Sequence, residues 1–276
     1  MLIWGTIGIF VREINLGSAE IAFLRAVIGS GVLFLLGIFK GEELSGAELK
    51  RNLPVLILSG AIIGVNWILL FQGYKYTTIS NATLSYYFAP VFIAILSSFV
   101  LKERLSTRKI ICIFIALIGL FLILQTGKNF NGQSYNHVKG ILYGLSGAVL
   151  YAIVVILNKY IKGIKAFAVT LIQLFVAGMI LLPLVIANNN FSLKLVDAKS
   201  WIIILLLGIL HTGIAYLLYF SAIKEVEGQS IAILSYIDPI FAVLISSLFL
   251  GEPMGSLQML GGILILGSTY LSERKL

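Results

Sequence analysis

Asp238 is the residue whose chemistry departs furthest from its surroundings. It directly precedes Pro239 inside Gln229–Leu250, a largely apolar segment, where an ionisable side chain is costly unless it meets a partner or a wet cavity. Its chemistry there would be recognition of a substrate amine or carriage of a proton. The structural alternative is a carboxyl held by donors of a neighbouring helix at a proline kink. Arg25 is the only basic residue well inside an apolar segment. It would either attract a substrate carboxylate or clamp helix ends, and the clamp is the preferred reading.

Other polar and aromatic side chains share these segments. Thr83, Tyr87, Pro90, Ala94 and Ser97 step by four, three, four and three along one helical face, a stripe that either lines a cavity or lets helices pack closely. Trp4, Asn66, Trp67, Tyr151, Asn158, His211, Tyr216 and Tyr236 complete the expected substrate pathway, and Pro90 and Pro239 are expected kinks. Glu103 and Glu252 end their segments and read, with Arg25, as gate or structural contacts. His211 is read chiefly as a packing residue.

Enzyme chemistry fits poorly. Gly144-Leu145-Ser146-Gly147 resembles the serine motif of rhomboid proteases, with His211 as a remote candidate base, but His211-Thr212-Gly213 is not followed by the small-residue ladder of such a helix. Only His137 and His211 are available as histidine ligands, and the spans hold no acidic cluster, so neither a metal nor another cofactor is expected. No phosphate-binding loop appears. Cys112 is the sole cysteine, which excludes an intramolecular disulfide.

The elements that must position these residues are membrane spans. Hydrophobic residues make up 59% of the chain and charged residues 12%, and the mean hydropathy is +1.02, too apolar for a soluble domain of this length. Apolar stretches recur about ten times, as 2–14, 19–39, 53–73, 79–100, 108–125, 138–158, 166–187, 200–221, 229–250 and 255–272. The first covers only about 20 Å and reads as truncated, with about ten residues expected ahead of Met1. The longest gaps, 40–52, 126–137 and 188–199, read as loops.

Internal repetition sets the architecture. Tyr87-Phe88-Ala89-Pro90-Val91-Phe92 leads to Leu101-Lys102-Glu103, and 149 residues later Tyr236-Ile237-Asp238-Pro239-Ile240-Phe241 leads to Leu250-Gly251-Glu252. Five spans per copy is an odd number, so the second copy enters the membrane from the opposite side. The expected fold is an all-α membrane protein of ten transmembrane helices in two inverted five-helix repeats, 1–125 and 138–276, joined by loop 126–137. Alternate gaps hold thirteen basic residues against six when both termini are cytoplasmic, which favours that orientation. The net charge of +8 is thereby a topological bias, not a nucleic-acid face.

Trp4-Gly5, Phe23-Leu24-Arg25, the Ala82–Pro90 stretch leading into Leu101-Lys102-Glu103-Arg104-Leu105, Asp238-Pro239 and Leu250-Gly251-Glu252-Pro253 together resemble the EamA-type permeases of the drug/metabolite transporter superfamily, over essentially the whole chain. The resemblance implies a permease of the cytoplasmic membrane, not an enzyme, that takes a small-molecule substrate, with a coupling proton as a possible partner. Export of an amino acid or related compound is the expected function, with vitamins, nucleobases and xenobiotics as alternatives. It also implies that Arg25 is a scaffold feature.

Overall fold

A computed structural model of the chain describes residues 2–39, 41, 46–102, 106–124, 135–187, 196–216, 218, 237–252 and 254–273. Among these residues the regular structure is entirely helical: α1 (Leu2–Gly5), α2 (Ile7–Arg12), α3 (Ser18–Phe39), α4 (Gly46–Tyr76), α5 (Ile79–Tyr86), α6 (Ala89–Val100), α7 (Thr107–Leu124), α8 (His137–Asn158), α9 (Ala166–Ala187), α10 (Ala198–Leu206), a π-helical segment Leu207–Ile214, α11 (Ile237–Leu250) and α12 (Ser256–Glu273). Five apolar segments, Ser18–Phe39, Glu48–Tyr76, Ile79–Val100, His137–Asn158 and Ala166–Ala187, are long enough to cross a membrane.

Burial follows the logic of a lipid solvent. On α7 the outward face carries Ile111, Phe114, Leu117, Ile118 and Phe121, all exposed, whereas Cys112, Ala116, Gly119 and Ile123 face inward. Bulky hydrocarbon outside and small side chains at the helix contact is the pattern of a membrane helix. The chain is a multi-pass membrane protein.

Several elements depart from the sequence expectation. The gap 40–52 is not all loop, because α4 starts at Gly46. Glu48 sits in its first turn, where a carboxylate suits the helix dipole, and Asn52 Nδ2 donates to the Glu48 carbonyl at 2.8 Å. The 31-residue helix is about 46 Å long and outruns the roughly 30 Å hydrocarbon core. The fourth span is two helices, α5 and α6, separated at Tyr87-Phe88. Pro90 has no N–H to return to the Tyr86 carbonyl, so the ladder breaks there.

The chain forms two compact units, residues 1–9, 69–156 and 226–276, and residues 10–68 and 157–225. In the first, α7 packs along α12, and α11 packs against α1 and α5. Leu84, Phe88, Val91, Ala116, Ile123, Ile141 and Ile265 make one buried cluster. Lys102 and Gly251, matched across the 149-residue repeat, both take the left-handed conformation, φ 56° and 60°, and so end α6 and α11 alike.

In the second unit α3 packs on α9 and on the π-helical segment. A Cβ added to Gly208 would strike Ile28, and one on Gly213 would strike Val32. Ile28 and Val32 lie four residues apart on an α-helix and their glycine sockets five apart; the tighter rise of π winding brings sockets and knobs into step. The contacts of this unit are reciprocal. A Cβ on Gly60 would meet Val176 as one on Gly208 would meet Ile28, and one on Gly64 would meet Ala177 as one on Gly29 would meet Thr212. Every residue of one pair lies 148 positions from its counterpart in the other.

Candidate functional site

The expected site residues fall into both units, and each group has its own polar centre. Tyr236 and Glu103 lie outside the described residues.

In the first unit the break between α5 and α6 does the positioning. Thr78 caps α5, accepting from the Asn81 N–H at 3.2 Å, and Tyr87 ends it with its own N–H on the Thr83 carbonyl at 2.9 Å. From this terminus the Tyr87 hydroxyl donates to Asp238 Oδ2 at 2.5 Å, a charge-assisted length. Asp238 and Tyr87 are half-buried. Tyr86 stands edge-on to Tyr87, centroids 6.3 Å apart at 77°, and is tilted 51° against Tyr151 at 5.8 Å. Three phenol rings therefore run in series, and the first of them, Tyr87, bonds the carboxyl. Thr83, one turn before Tyr87 on the same face, is buried, and its Oγ1 has no hydrogen-bond partner among the described residues. Gly5 lets α1, which carries Trp4, come close to the Asp238 turn: a Cβ there would lie 2.9 Å from the Asp238 carbonyl oxygen. Pro239 follows Asp238 in the first turn of α11.

A second polar cluster pins the start of α5. Glu252, only 5% exposed, accepts from the Ile79 N–H at 3.0 Å and from the Tyr135 hydroxyl at 3.4 Å. Its carboxyl therefore sits at the N-terminal end of α5, where acceptors are favoured. Ser80 and Ser246 share a hydrogen bond of 2.9 Å, and Gln258 Nε2 donates to Asn81 Oδ1 at 2.9 Å. His137 Nδ1 meets Thr77 Oγ1 at 2.7 Å. Helix-end carboxylate and connecting segment thus converge on one helix terminus.

In the second unit Arg25 is buried. Its Nε donates to Thr212 Oγ1 at 2.8 Å, and its guanidinium lies 4.3 Å over the Trp67 ring. The π-helical winding serves this contact, since the Thr212 hydroxyl in turn donates to the Leu207 carbonyl five residues back at 3.0 Å. Gln173, 148 residues after Arg25, donates both amide protons, to Ser59 Oγ at 2.8 Å and Asn158 Oδ1 at 2.7 Å. Arg25 and Gln173 thereby knit α3 to the π-helical segment and α9 to α4. His211 is buried edge-on to Phe10, 5.3 Å between centroids at 72°, with Nδ1 3.3 Å from the Leu206 carbonyl. Asn66 is also buried, and Tyr216 lies within electrostatic reach of Arg25. Ser146 faces outward on α8 whereas His211 is buried, an arrangement that gives no support to a nucleophile–base pair.

Tyr86 is absent from the sequence-derived set because it lies one residue off the helical stripe. The available signal was its position as an aromatic doublet with Tyr87 ahead of a helix-breaking proline.

Comparison with known proteins agrees with these observations. The EamA-like transporter family matches residues 1–125 and 138–273. The chain is 28% identical to the uncharacterized transporter YxxF of Bacillus subtilis strain 168 over 99% of its own length and 86% of that protein. It is 26% identical to an uncharacterized transporter of Archaeoglobus fulgidus, over 99% and 93% of the two chains. A solved crystal structure superposes with a TM-score of 0.67 at 20% identity, covering 98% of this chain and 94% of that one, which is a likeness of fold alone. With most of its length matched, this multi-pass helical chain belongs to the EamA-like transporter family of the drug/metabolite transporter superfamily.

Proposed function

We propose that the protein is a secondary transporter that exports a small organic metabolite, an amino acid or a related compound, across the cytoplasmic membrane by alternating access. Both termini are cytoplasmic in this reading, and residues 1–125 and 138–276 are inverted five-helix repeats joined by 126–137. The 149-residue sequence repeat, the left-handed residues at Lys102 and Gly251 and the reciprocal glycine contacts 148 residues apart support the inversion, which is the usual basis of alternating access.

The observation that carries the functional reading is half-buried Asp238, an acidic residue inside an apolar segment, hydrogen-bonded by Tyr87. Its place in the first-half copy is Ala89, so repeat geometry does not demand it. Asp238 binds substrate or carries the coupling proton; Thr83, Tyr87, Tyr151 and Trp4 belong to the same pathway. Glu252 is a gate contact, holding the α5 terminus while that side is closed. Arg25, Trp67, Asn158 and His211 keep structural partners in the second unit, and Asn66 and Tyr216 are its remaining pathway candidates.

The test is counterflow in liposomes holding the purified protein, with labelled amino acids and nucleobases, with and without a pH gradient. Saturable counterflow of one class, lost in Asp238→Asn, is the expected result. A variant Asp238→Asn with unchanged transport and unchanged pH dependence removes Asp238 from the mechanism, and silence across the panel with folded, inserted protein counts against this substrate class.

A further inference from the structure

The second unit carries a matched pair of joints at its two ends. A Cβ on Gly37, late in α3, would meet Phe167 at the start of α9, and one on Gly178 would meet Val27. The two helices therefore run antiparallel, and their starts lie at opposite ends of a packed pair about 33 Å long. At the start of α9, Asn52 of α4 holds the incoming connection. Its Nδ2 donates to the Lys162 carbonyl at 3.0 Å and its Oδ1 accepts from the Lys162 N–H at 3.2 Å, while the Arg51 guanidinium donates to the same carbonyl at 3.4 Å. At the start of α3, the first turn of α10 holds the incoming connection. Ser200 Oγ accepts from the Asn15 N–H at 3.3 Å, and Lys199 is ion-paired with Glu13. Ser200 and Lys199 lie 148 positions after Asn52 and Arg51, as α9 begins 148 positions after α3, so one joint occurs twice in different chemistry.

The two joints differ in what parting them leaves behind. Asn52 is 5% exposed, so withdrawing Lys162 takes both a donor and an acceptor from a buried amide. Gly163, in the left-handed conformation at φ 78°, packs the same connection against Glu48, whose Oε1 lies 2.8 Å from the place of its Cβ. At the other joint Asn15 is exposed, and Lys199 and Glu13 are 64% and 43% exposed, so water takes up each group as it leaves. An exposed ion pair of this kind is weak. Ser200 is buried, but its hydroxyl goes on donating to Asp197 Oδ1 at 2.6 Å when Asn15 is gone. Beyond α10, the π-helical segment is keyed to α3 by Gly208 and Gly213 against Ile28 and Val32 and by the Arg25–Thr212 bond. The nine residues of α10, about 13 Å, thus stand between an anchored π-helical segment and a joint that water can dissolve.

We infer that α10 is a hinged arm, which swings on the π-helical segment and parts from Asn15 and Glu13 during transport while the matched joint at Asn52 stays shut. A π-helical segment is a place where a helix bends readily. The inference rests on the transporter reading and adds to it which end of this unit opens. Repeated sequence here gives unequal parts: the copy built on a buried amide is the pivot, and the copy built on exposed charges is the latch.

Hydrogen–deuterium exchange of the full-length protein in liposomes reads both joints without a ligand, as protection in peptides covering 13–17 and 160–164. The latch peptide is expected to exchange at least about tenfold faster than the pivot peptide. Glu13→Gln, or about 0.5 M salt, speeds the latch a further two- to fivefold or so and leaves the pivot unchanged. Asn52→Ala speeds the pivot peptide by about tenfold or more. Movement in transport is read by counterflow in two double variants, Glu13→Cys with Lys199→Cys and Arg51→Cys with Lys162→Cys, each bridged by a short reagent that joins two thiols and is released by reductant. Wild type, whose Cys112 is buried, controls for the reagent. Bridging the first pair stops counterflow until reductant is added, and bridging the second leaves it running. Equal protection at the two joints, or counterflow that survives the first bridge or stops on the second, overturns the arm. Unequal protection of the expected sense without counterflow of any solute leaves the arm standing and overturns the transporter reading; counterflow intact with both bridges in place does the reverse.

Discussion

The seam between α7 and α12 allows a prediction whose size follows from the backbone. Gly119 and Gly261 face each other so closely that a Cβ on Gly119 would lie 2.6 Å from the Gly261 carbonyl oxygen, and one on Gly261 2.5 Å from that of Gly119. Carbon–oxygen contacts settle near 3.3 Å, so alanine at either position pushes the helices apart by roughly 0.7 Å. The obstacle is backbone on both sides, and no side chain can swing away. Ile123 and Ile265, both fully buried, line the same seam, so the separation reaches the core. Overpacking of this kind costs about 1–3 kcal/mol, and glycine to alanine returns at most about 1 kcal/mol of helix propensity. Because the obstacle is backbone, the cost falls in the upper part of that range, about 2–3 kcal/mol, and after a propensity gain of about 1 kcal/mol Gly119→Ala loses about 1–2 kcal/mol, a lowering of the melting midpoint by roughly 2–8 °C. Gly267, on the same helix as Gly261, has nothing within 4 Å of its Cβ position. Gly267→Ala accordingly keeps the propensity gain and melts at or slightly above the wild type. The assay is thermal unfolding of the purified protein in one detergent, followed by size exclusion. Equal midpoints for Gly119→Ala and wild type, or an equal loss in Gly267→Ala, would refute the reasoning.

Three further perturbations probe separate devices. Arg25→Lys cannot both donate to Thr212 and lay a planar cation over Trp67, so it lowers stability by about 1–3 kcal/mol, read as a midpoint shift; an unchanged midpoint would remove the clamp role. Lys102 holds a left-handed φ of 56° where its repeat counterpart is Gly251, so Lys102→Gly raises the midpoint, with a gain of about 1 kcal/mol, and a fall would show that the lysine side chain matters more than the backbone. Asp197 caps α10, accepting from Ser200 Oγ at 2.6 Å and the Ser200 N–H at 3.1 Å, and these bonds, the hydroxyl's foremost, hold its carboxyl below the usual value of 3.8. The stabilisation from that lowered pKa is complete above 3.8 and is lost as pH falls through the folded-state value. Acid melting curves of wild type and Asp197→Asn should therefore converge below that pH and diverge above it, and parallel curves would exclude the linkage.

Some spans were legible because an apolar run of membrane length has few other readings: α9 occupies 166–187, as its sequence indicates, and α8 differs from the expected start by one residue. The break at Tyr87-Phe88 was legible only as a kink, since proline shows where the ladder must fail but not how far the two halves of the span then diverge. The π-helical segment was not legible at all. No residue in Leu207–Ile214 prefers that winding; it follows from fitting Gly208 and Gly213 against Ile28 and Val32, a match between segments about 180 residues apart. Glu252 read as a helix-end residue, but its bond to the Ile79 N–H spans 173 residues and leaves no trace in local pattern. Tyr86 was hidden for the opposite reason, being next to a residue that was found and off its stripe.

The repeat itself separates scaffold from site. Arg25 and Gln173 hold matched positions and differ in charge, yet each does the same kind of work, bonding α3 to the π-helical segment and α9 to α4. A charge whose neutral counterpart serves the same purpose is part of the frame, and the guanidinium is the form that also covers Trp67. Asp238 and Ala89 hold matched positions too, but there the frame is served by alanine alone, which is buried in its helix without any polar bond to make. A carboxyl in an apolar segment carries a desolvation cost that alanine at the matched position does not, and the Tyr87 hydroxyl bonded to it is one group that offsets that cost.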